Sequence, residues 1–262
     1  MTTTAMMPSL RQMALRTGAL LGAVLLAACG TADAADPLSP TGPTGRVRFV
    51  NVITDTTRGR VNAILENVPF GVNLTYTQST PITLAAPNTA NYSPIYVGNR
   101  TLVLKRTADT NTVVASIPFT VAANQDLTIY ATGGAAASAI TNFITTDDNT
   151  LSATQARVRV VHLSPTAGAV DIFVTAPGAD LAAATPTLAN VAVRTASAYL
   201  AVNAGSYQVR VVPAGTAPAA RAGAVAINVA SLALAANTVR TIVAADNTTG
   251  GAPLRAFVLQ DR

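Results

Sequence analysis

Residues 157–175 read RVRVVHLSPTAGAVDIFVT. Two β-branched runs flank a Ser-Pro-Thr-Ala-Gly segment, and Pro and Gly at such a place mark a turn between strands. Strand alternation puts Val158, Val160 and His162 on one face of the first run. The same lettering occurs earlier in the chain. Arg46-Val47-Arg48-Phe49-Val50-Asn51 matches Arg157-Val158-Arg159-Val160-Val161-His162, and Gly59-Arg60-Val61-Asn62 matches Gly168-Ala169-Val170-Asp171. Order persists downstream: Ala123-Asn124 and Thr128-Ile129 match Ala236-Asn237 and Thr241-Ile242, and Phe143 with Asp147 matches Phe257 with Asp261. Repeated matches in one order imply a duplicated unit.

Between these landmarks the chain consists of short Val/Ile/Thr/Tyr/Phe-rich runs, such as 46–53, 61–65, 101–105 and 127–131, broken by Asn, Asp, Gly and Pro. That spacing predicts an all-β fold, two tandem Ig-like antiparallel β-sandwich domains over residues 46–148 and 156–262. A polar stretch, 148–155, suits the boundary. The alanine runs at 135–137 and 182–184 lie near Gly or Pro, carry no amphipathic stripe and read as turns. Threonines within the runs are expected at solvent-facing strand positions.

The N-terminus reads as an address. Arg11 and Arg16 precede a short apolar run, 17–28, that ends in Leu26-Ala27-Ala28-Cys29. The run is too short to span a bilayer and has the form of a signal peptide, residues 1–28. Its end resembles a bacterial lipobox, in which cleavage exposes the cysteine and two or three acyl chains anchor it stably in a membrane. Cys29 is therefore the expected lipidation site, and it is the only cysteine in the chain. Gly30 follows, where Gram-negative lipoproteins retained on the inner membrane commonly carry aspartate, so resemblance favours the outer membrane, facing the periplasm or the surface. Residues 29–45 hold Pro37, Pro40 and Pro43 without hydrophobic periodicity and predict a disordered, extended tether.

Composition removes several functions. Charged residues make up 11% of the chain, against about 25% in an ordinary domain. Cleavage before Cys29 would remove Arg11 and Arg16 and lower the formal charge from +5 to +3. The remaining arginines are scattered, with no basic cluster or aromatic platform, so nucleic acid is not an expected partner. One histidine, one cysteine and no tryptophan leave too few ligands for a zinc or haem site, and no calcium-loop spacing occurs around Asp147-Asp148-Asn149. No cofactor or metal is expected.

The second unit, with RVRVVHLSPTAGAVDIFVT, YLAVNAGSYQVRVVPAGT (199–216), LAANTVRTIVAAD (234–246) and LRAFVLQD (254–261), resembles the domain of unknown function 4397 family. The first unit is similar but more divergent. The resemblance implies a tandem envelope or secreted protein of bacteria or archaea and brings no activity or ligand with it.

His162, Ser164 and Asp171 are the residues that invite a catalytic reading. A hydrolase built on them would need the serine oxygen about 3 Å from the imidazole, an acid to orient the ring and an oxyanion pocket, yet no nucleophile-elbow motif is present. The repeat favours a structural role, since Asn51 and Asn62 replace His162 and Asp171 and two amides cannot move protons at neutral pH. His162 is accordingly expected to bond near Asp171 or to the Ser164 turn. The whole points to a lipid-anchored, non-catalytic envelope protein that contacts another envelope protein or a polysaccharide. The alternatives are a hydrolase centred on His162 and Asp171, and a carbohydrate-binding module displaying coplanar tyrosines.

Overall fold

Strand β1 (Thr44–Ile53) is buried along nearly its whole length, and this explains the architecture. Its odd-numbered apolar residues Val47, Phe49 and Ile53 enter one core, and the alternate Val50 and Val52 enter another. A strand apolar on both faces must lie between two layers. The computed structural model describes residues 42–81 and 91–262. The expected signal peptide, the expected lipidation site Cys29 and the expected tether as far as residue 41 lie outside the described residues. Thr44 and Gly45, expected to close the tether, are the first residues of β1. At Gly45 an added Cβ would stand 2.5 Å from the Ala122 carbonyl oxygen, so a side chain has no room there.

After β1 the chain forms β2 (Val61–Leu65), β3 (Val68–Leu74), β4 (Ser93–Tyr96), β5 (Gly98–Arg106), β6 (Asp109–Val121), β7 (Asp126–Gly133) and β8 (Ile140–Asp147). They make two four-stranded sheets, ordered β4-β1-β7-β8 and β3-β2-β5-β6. The repeat then starts again with β9 (Gln155–His162), β10 (Val170–Thr175), β11 (Leu188–Val191), β12 (Thr195–Ala196), β13 (Leu200–Asn203), β14 (Gly205–Pro213), β15 (Ile227–Leu234), β16 (Val239–Ala245) and β17 (Arg255–Gln260). Its sheets are ordered β12-β9-β16-β17, with β13 also on β9, and β11-β10-β14-β15. Apart from one additional short strand on β9, the two orders are the same. Most pairings are antiparallel, but the central pairs β1–β7 and β9–β16 are parallel. Each sandwich has its own apolar centre, Phe49, Leu104 and Ile129 in the first, Val160, Ile172 and Ile242 in the second.

Pro43–Arg262 is one compact unit, because a third core joins the sandwiches. Val50, Val52 and Tyr130 of the first pack with Val161, Leu163 and Val243 of the second. The outward faces of the two β1-type sheets thus cover each other. Here the expectation of solvent-facing threonines fails: Thr128 and Thr241 are fully buried. Their hydroxyls are partnered by charged groups in this joint.

The turns follow local chemistry. Asn124 and Asn237, matched in the repeat, both have positive φ, 58° and 61°, which asparagine tolerates. The alanines at 135–137 form a single 3-10 turn, and a further 3-10 segment, Pro218–Ala224, has no counterpart in the sequence expectations.

Candidate functional site

The residues singled out by sequence lie at the end of β9 and in β10. His162 and Ser164 are both fully buried. His162 Nε2 lies 2.7 Å from the Gly168 carbonyl, which can only accept, so Nε2 carries the proton. Nδ1 then accepts from the Ser164 backbone N–H at 3.5 Å. Ser164 Oγ donates to Asp246, not to the imidazole, and accepts from Ala167 N–H at 3.2 Å. Asp246 also receives Thr166 Oγ1 at 2.7 Å and Gly251 N–H at 3.0 Å. Asp171 lies elsewhere. Along β10, Val170 and Ile172 enter the sandwich core, so the alternate Asp171 projects from the opposite face and accepts the Asn190 N–H at 2.8 Å.

The structure therefore joins His162 to the Ser164 turn and leaves Asp171 out. The acid of the cluster is Asp246, the last residue of the 234–246 stretch, which no catalytic motif marks. No nucleophile–base pair results, because the serine proton goes to a carboxylate and both ring nitrogens are engaged by backbone.

The first sandwich repeats the design with amides. Asn51 Nδ2 donates to the Gly59 carbonyl at 2.6 Å and to Leu74 O at 3.0 Å, while its Oδ1 accepts the Ile53 N–H at 3.1 Å. Glycine carbonyl as acceptor and the N–H two residues on as donor recur with His162. Likewise Asn62 Oδ1 accepts Asn73 N–H at 2.8 Å as Asp171 accepts Asn190, and both Asn73 and Asn190 have positive φ. Burial pushes the His162 pKa below its ordinary value, only partly offset by Gly168 and Asp246. The unfolded chain, with a histidine near pH 6.5, then binds more protons than the native chain as pH falls through that value. His162 should thus cost stability progressively below about pH 6.5. His162→Asn, which copies Asn51, should fold and should flatten this part of the stability–pH curve in urea titrations between about pH 5 and 7.5. An unchanged slope would refute the assignment.

A second polar cluster has no motif of its own in the sequence, although its members lie in the matched segments. Arg48 and Arg159 are each 2% exposed, in the joint between the sandwiches. Arg48 Nη2 meets Asp261 Oδ1 of the second sandwich at 2.6 Å, and Arg159 Nη2 meets Asp147 of the first. The pairing is reciprocal: each sandwich gives an arginine to the other's terminal aspartate. Arg48 Nε donates to Thr128 Oγ1 at 3.1 Å, and Arg159 Nε to Thr241 Oγ1 at 2.8 Å. Thr128 in turn donates to Asp147, and Thr241 to Asp261 at 2.5 Å. Each guanidinium lies over a tyrosine, Arg48 at 4.5 Å from the Tyr92 centroid and Arg159 at 4.8 Å from that of Tyr199. Those tyrosines complete the ring, Tyr92 Oη donating to Asp147 at 2.7 Å and Tyr199 Oη to Asp261 at 3.3 Å. Desolvation opposes the Arg48 charge, but Asp261 and the surrounding rings outweigh it and raise its pKa. Burial likewise pushes the Tyr92 and Tyr199 phenols upward, so both stay protonated donors.

Tyr76 adds a further tie, its hydroxyl on the Asp246 carbonyl and its ring beneath Arg255 at 5.7 Å. The signal in the sequence was the doubled Arg-Val-Arg with a matched Asp at the end of each repeat. What it lacked was any mark that the acids exchange partners between repeats. Among the described residues, no group of three or more His, Cys, Asp or Glu side chains is arranged to hold a metal ion.

No curated protein matches the chain. The family described as domain of unknown function (DUF4397) matches it twice, over residues 45–173 and 174–262. The division at 173/174 falls inside β10, whereas the ladders separate between β8 and β9. With matches that cover most of its length and a repeated strand order, the chain belongs to the DUF4397 family.

Proposed function

We propose that the protein is a non-catalytic, lipid-anchored component of the cell envelope, held at the outer membrane through Cys29 and acting by contact. The observation that carries this reading is the reciprocal Arg48–Asp261 and Arg159–Asp147 core. It spends the buried charged groups on making two sandwiches into one rigid body, which suits a module that presents surfaces at the end of a tether. The buried His162–Ser164–Asp246 cluster fits the same view, since its protons are committed to structural bonds. Tyr92 and Tyr199 lie under arginines and Tyr130 is fully buried, an arrangement that favours cohesion of the body over a display of sugar-stacking rings.

Metabolic labelling of cells with a palmitate analogue tests the anchor. The full chain should incorporate label and fractionate with membranes, and Cys29→Ala should lose the label and accumulate as unprocessed precursor. An unlabelled wild-type chain in the cytosol would overturn the reading. So would ester or peptide hydrolysis by the purified mature chain that vanishes in His162→Asn.

A further inference from the structure

The two sandwiches differ in how they treat the outer face of the sheet far from the joint. In the second, β10 and β14 pair Asp171 with Val212 and Phe173 with Arg210. Phe173 and Val212 are fully buried there, although they point away from the sandwich core. The chain covers them itself: segments 176–187 and 214–226 fold back and pack Leu181, Ala184 and Ala224 onto this face. Arg221 fastens the cover, its guanidinium 5.1 Å from the Phe173 ring and Nη1 donating to the Leu181 and Ala184 carbonyls at 3.2 and 2.7 Å. Arg210 adds a bond to the Ala179 carbonyl at 2.7 Å.

In the first sandwich the same register pairs Asn62 with Lys105 and Ile64 with Val103. Ile64 therefore stands where the second has Phe173, and Lys105 where it has Val212. Both covering segments are missing here. β2 passes to β3 through Glu66 and Asn67 alone, at φ 49° and 68°, and β5 passes to β6 through Thr107 and Ala108. Among the described residues the face is left as an open groove of 590 Å³, floored by Ile64, Val103 and Pro118 and edged by Asn67, Asn99 and Thr101. Across the Arg100–Glu66 ion pair at 2.9 Å lies a separate pocket of 290 Å³ whose lining includes Leu65, Phe70 and Ile95, residues of the core side. Pro69 and Pro94 stand on the neighbouring edge strands, where they disfavour strand addition, so the face rather than the edge is the place to dock.

We infer that this face of the first sandwich binds a polypeptide segment with small apolar side chains and a carboxylate, supplied by a partner protein. The second sandwich is the precedent, since a Leu/Ala-rich stretch of chain already occupies the equivalent face. The amides and hydroxyls along the groove suit a peptide backbone, Ile64, Val103 and Pro118 suit its small apolar side chains, and Lys105, the only lysine in the chain, sets the charge. The inference rests on the reading of the body as a contact module, but its test is independent of the anchor.

The probe is the internal cover itself, a synthetic peptide of residues 176–187 (APGADLAAATPT), together with an Ala184→Asp version of it. Added to the isotope-labelled mature chain, the first peptide should give saturable NMR shifts at Ile64, Thr101 and Val103. The Ala184→Asp peptide should bind about threefold more tightly, the size of one exposed ion pair. Lys105→Glu should reverse that preference, and Val103→Arg, which fills the groove, should abolish the shifts without altering the rest of the spectrum. Absence of saturable shifts at these residues, or shifts that survive Val103→Arg, would overturn the inference. An acidic polysaccharide such as polygalacturonate shifting the same residues while both peptides leave them unmoved would also overturn it, in favour of a glycan face. Loss of Cys29 labelling would instead strike the envelope reading and leave this result standing.

Discussion

Asp261→Ala should lower the unfolding free energy of the mature chain by about 3–5 kcal/mol, the usual cost of leaving one member of a buried ion pair without its partner. The size follows from the surroundings. Arg48 is 2% exposed and would keep only Thr128 and the Gln260 carbonyl as near acceptors, with Asp147 at 3.8 Å. Arg159→Met should cost less, because Asp147 would still receive hydroxyl bonds from Thr128, Thr145 and Tyr92. The combination Arg48→Met with Asp261→Leu should recover much of the loss, since apolar substitutes of similar volume avoid desolvating two charges. Urea titration of the three variants separates these effects, and calorimetry adds a qualitative one. The wild-type body should unfold in one transition, and Asp261→Ala should loosen the joint enough to resolve two. A change below about 1 kcal/mol with one sharp transition would mean that the pair does not couple the sandwiches.

The same residues show what a linear reading can and cannot reach. Duplication, the β class and the strand positions were legible because alternation and turn chemistry are local, and the chain repeats both. Asn51 and His162 could be equated for the same reason, and their shared bond to a glycine carbonyl follows from that equivalence. Of the two partners expected for His162, the Ser164 turn and Asp171, sheet packing selects the turn, because it places Asp171 on the outer side of β10. Asp246 ends the 234–246 stretch, far along the chain from Ser164, and no catalytic motif links the two. The Thr128 and Thr241 positions misled for a different reason. Threonine at alternate strand positions ordinarily means a wet face, and only a second sandwich laid on that face, with arginines to meet the hydroxyls, makes it dry. Contacts between repeats are invisible to periodicity, since both repeats display the same pattern whether or not they touch.

Phe173→Ala should be the other costly change, about 3–5 kcal/mol, the range for deleting a fully buried phenylalanine. Its consequence differs from that of breaking the joint. Phe173 holds the cover of the second sandwich through Leu181 and the Arg221 guanidinium, so its loss should free segments 176–187 and 214–226 before the sheets give way. Amide exchange in those two segments should rise at denaturant concentrations where β9 and β16 remain protected. Ile64→Ala, the matched substitution in the first sandwich, should cost no more than about 1 kcal/mol, because a side chain already half in water has less transfer energy to lose. Equal losses at the two positions would mean that the outer face of the first sandwich is as closed as that of the second, and the contrast between a covered and an open face would disappear with it.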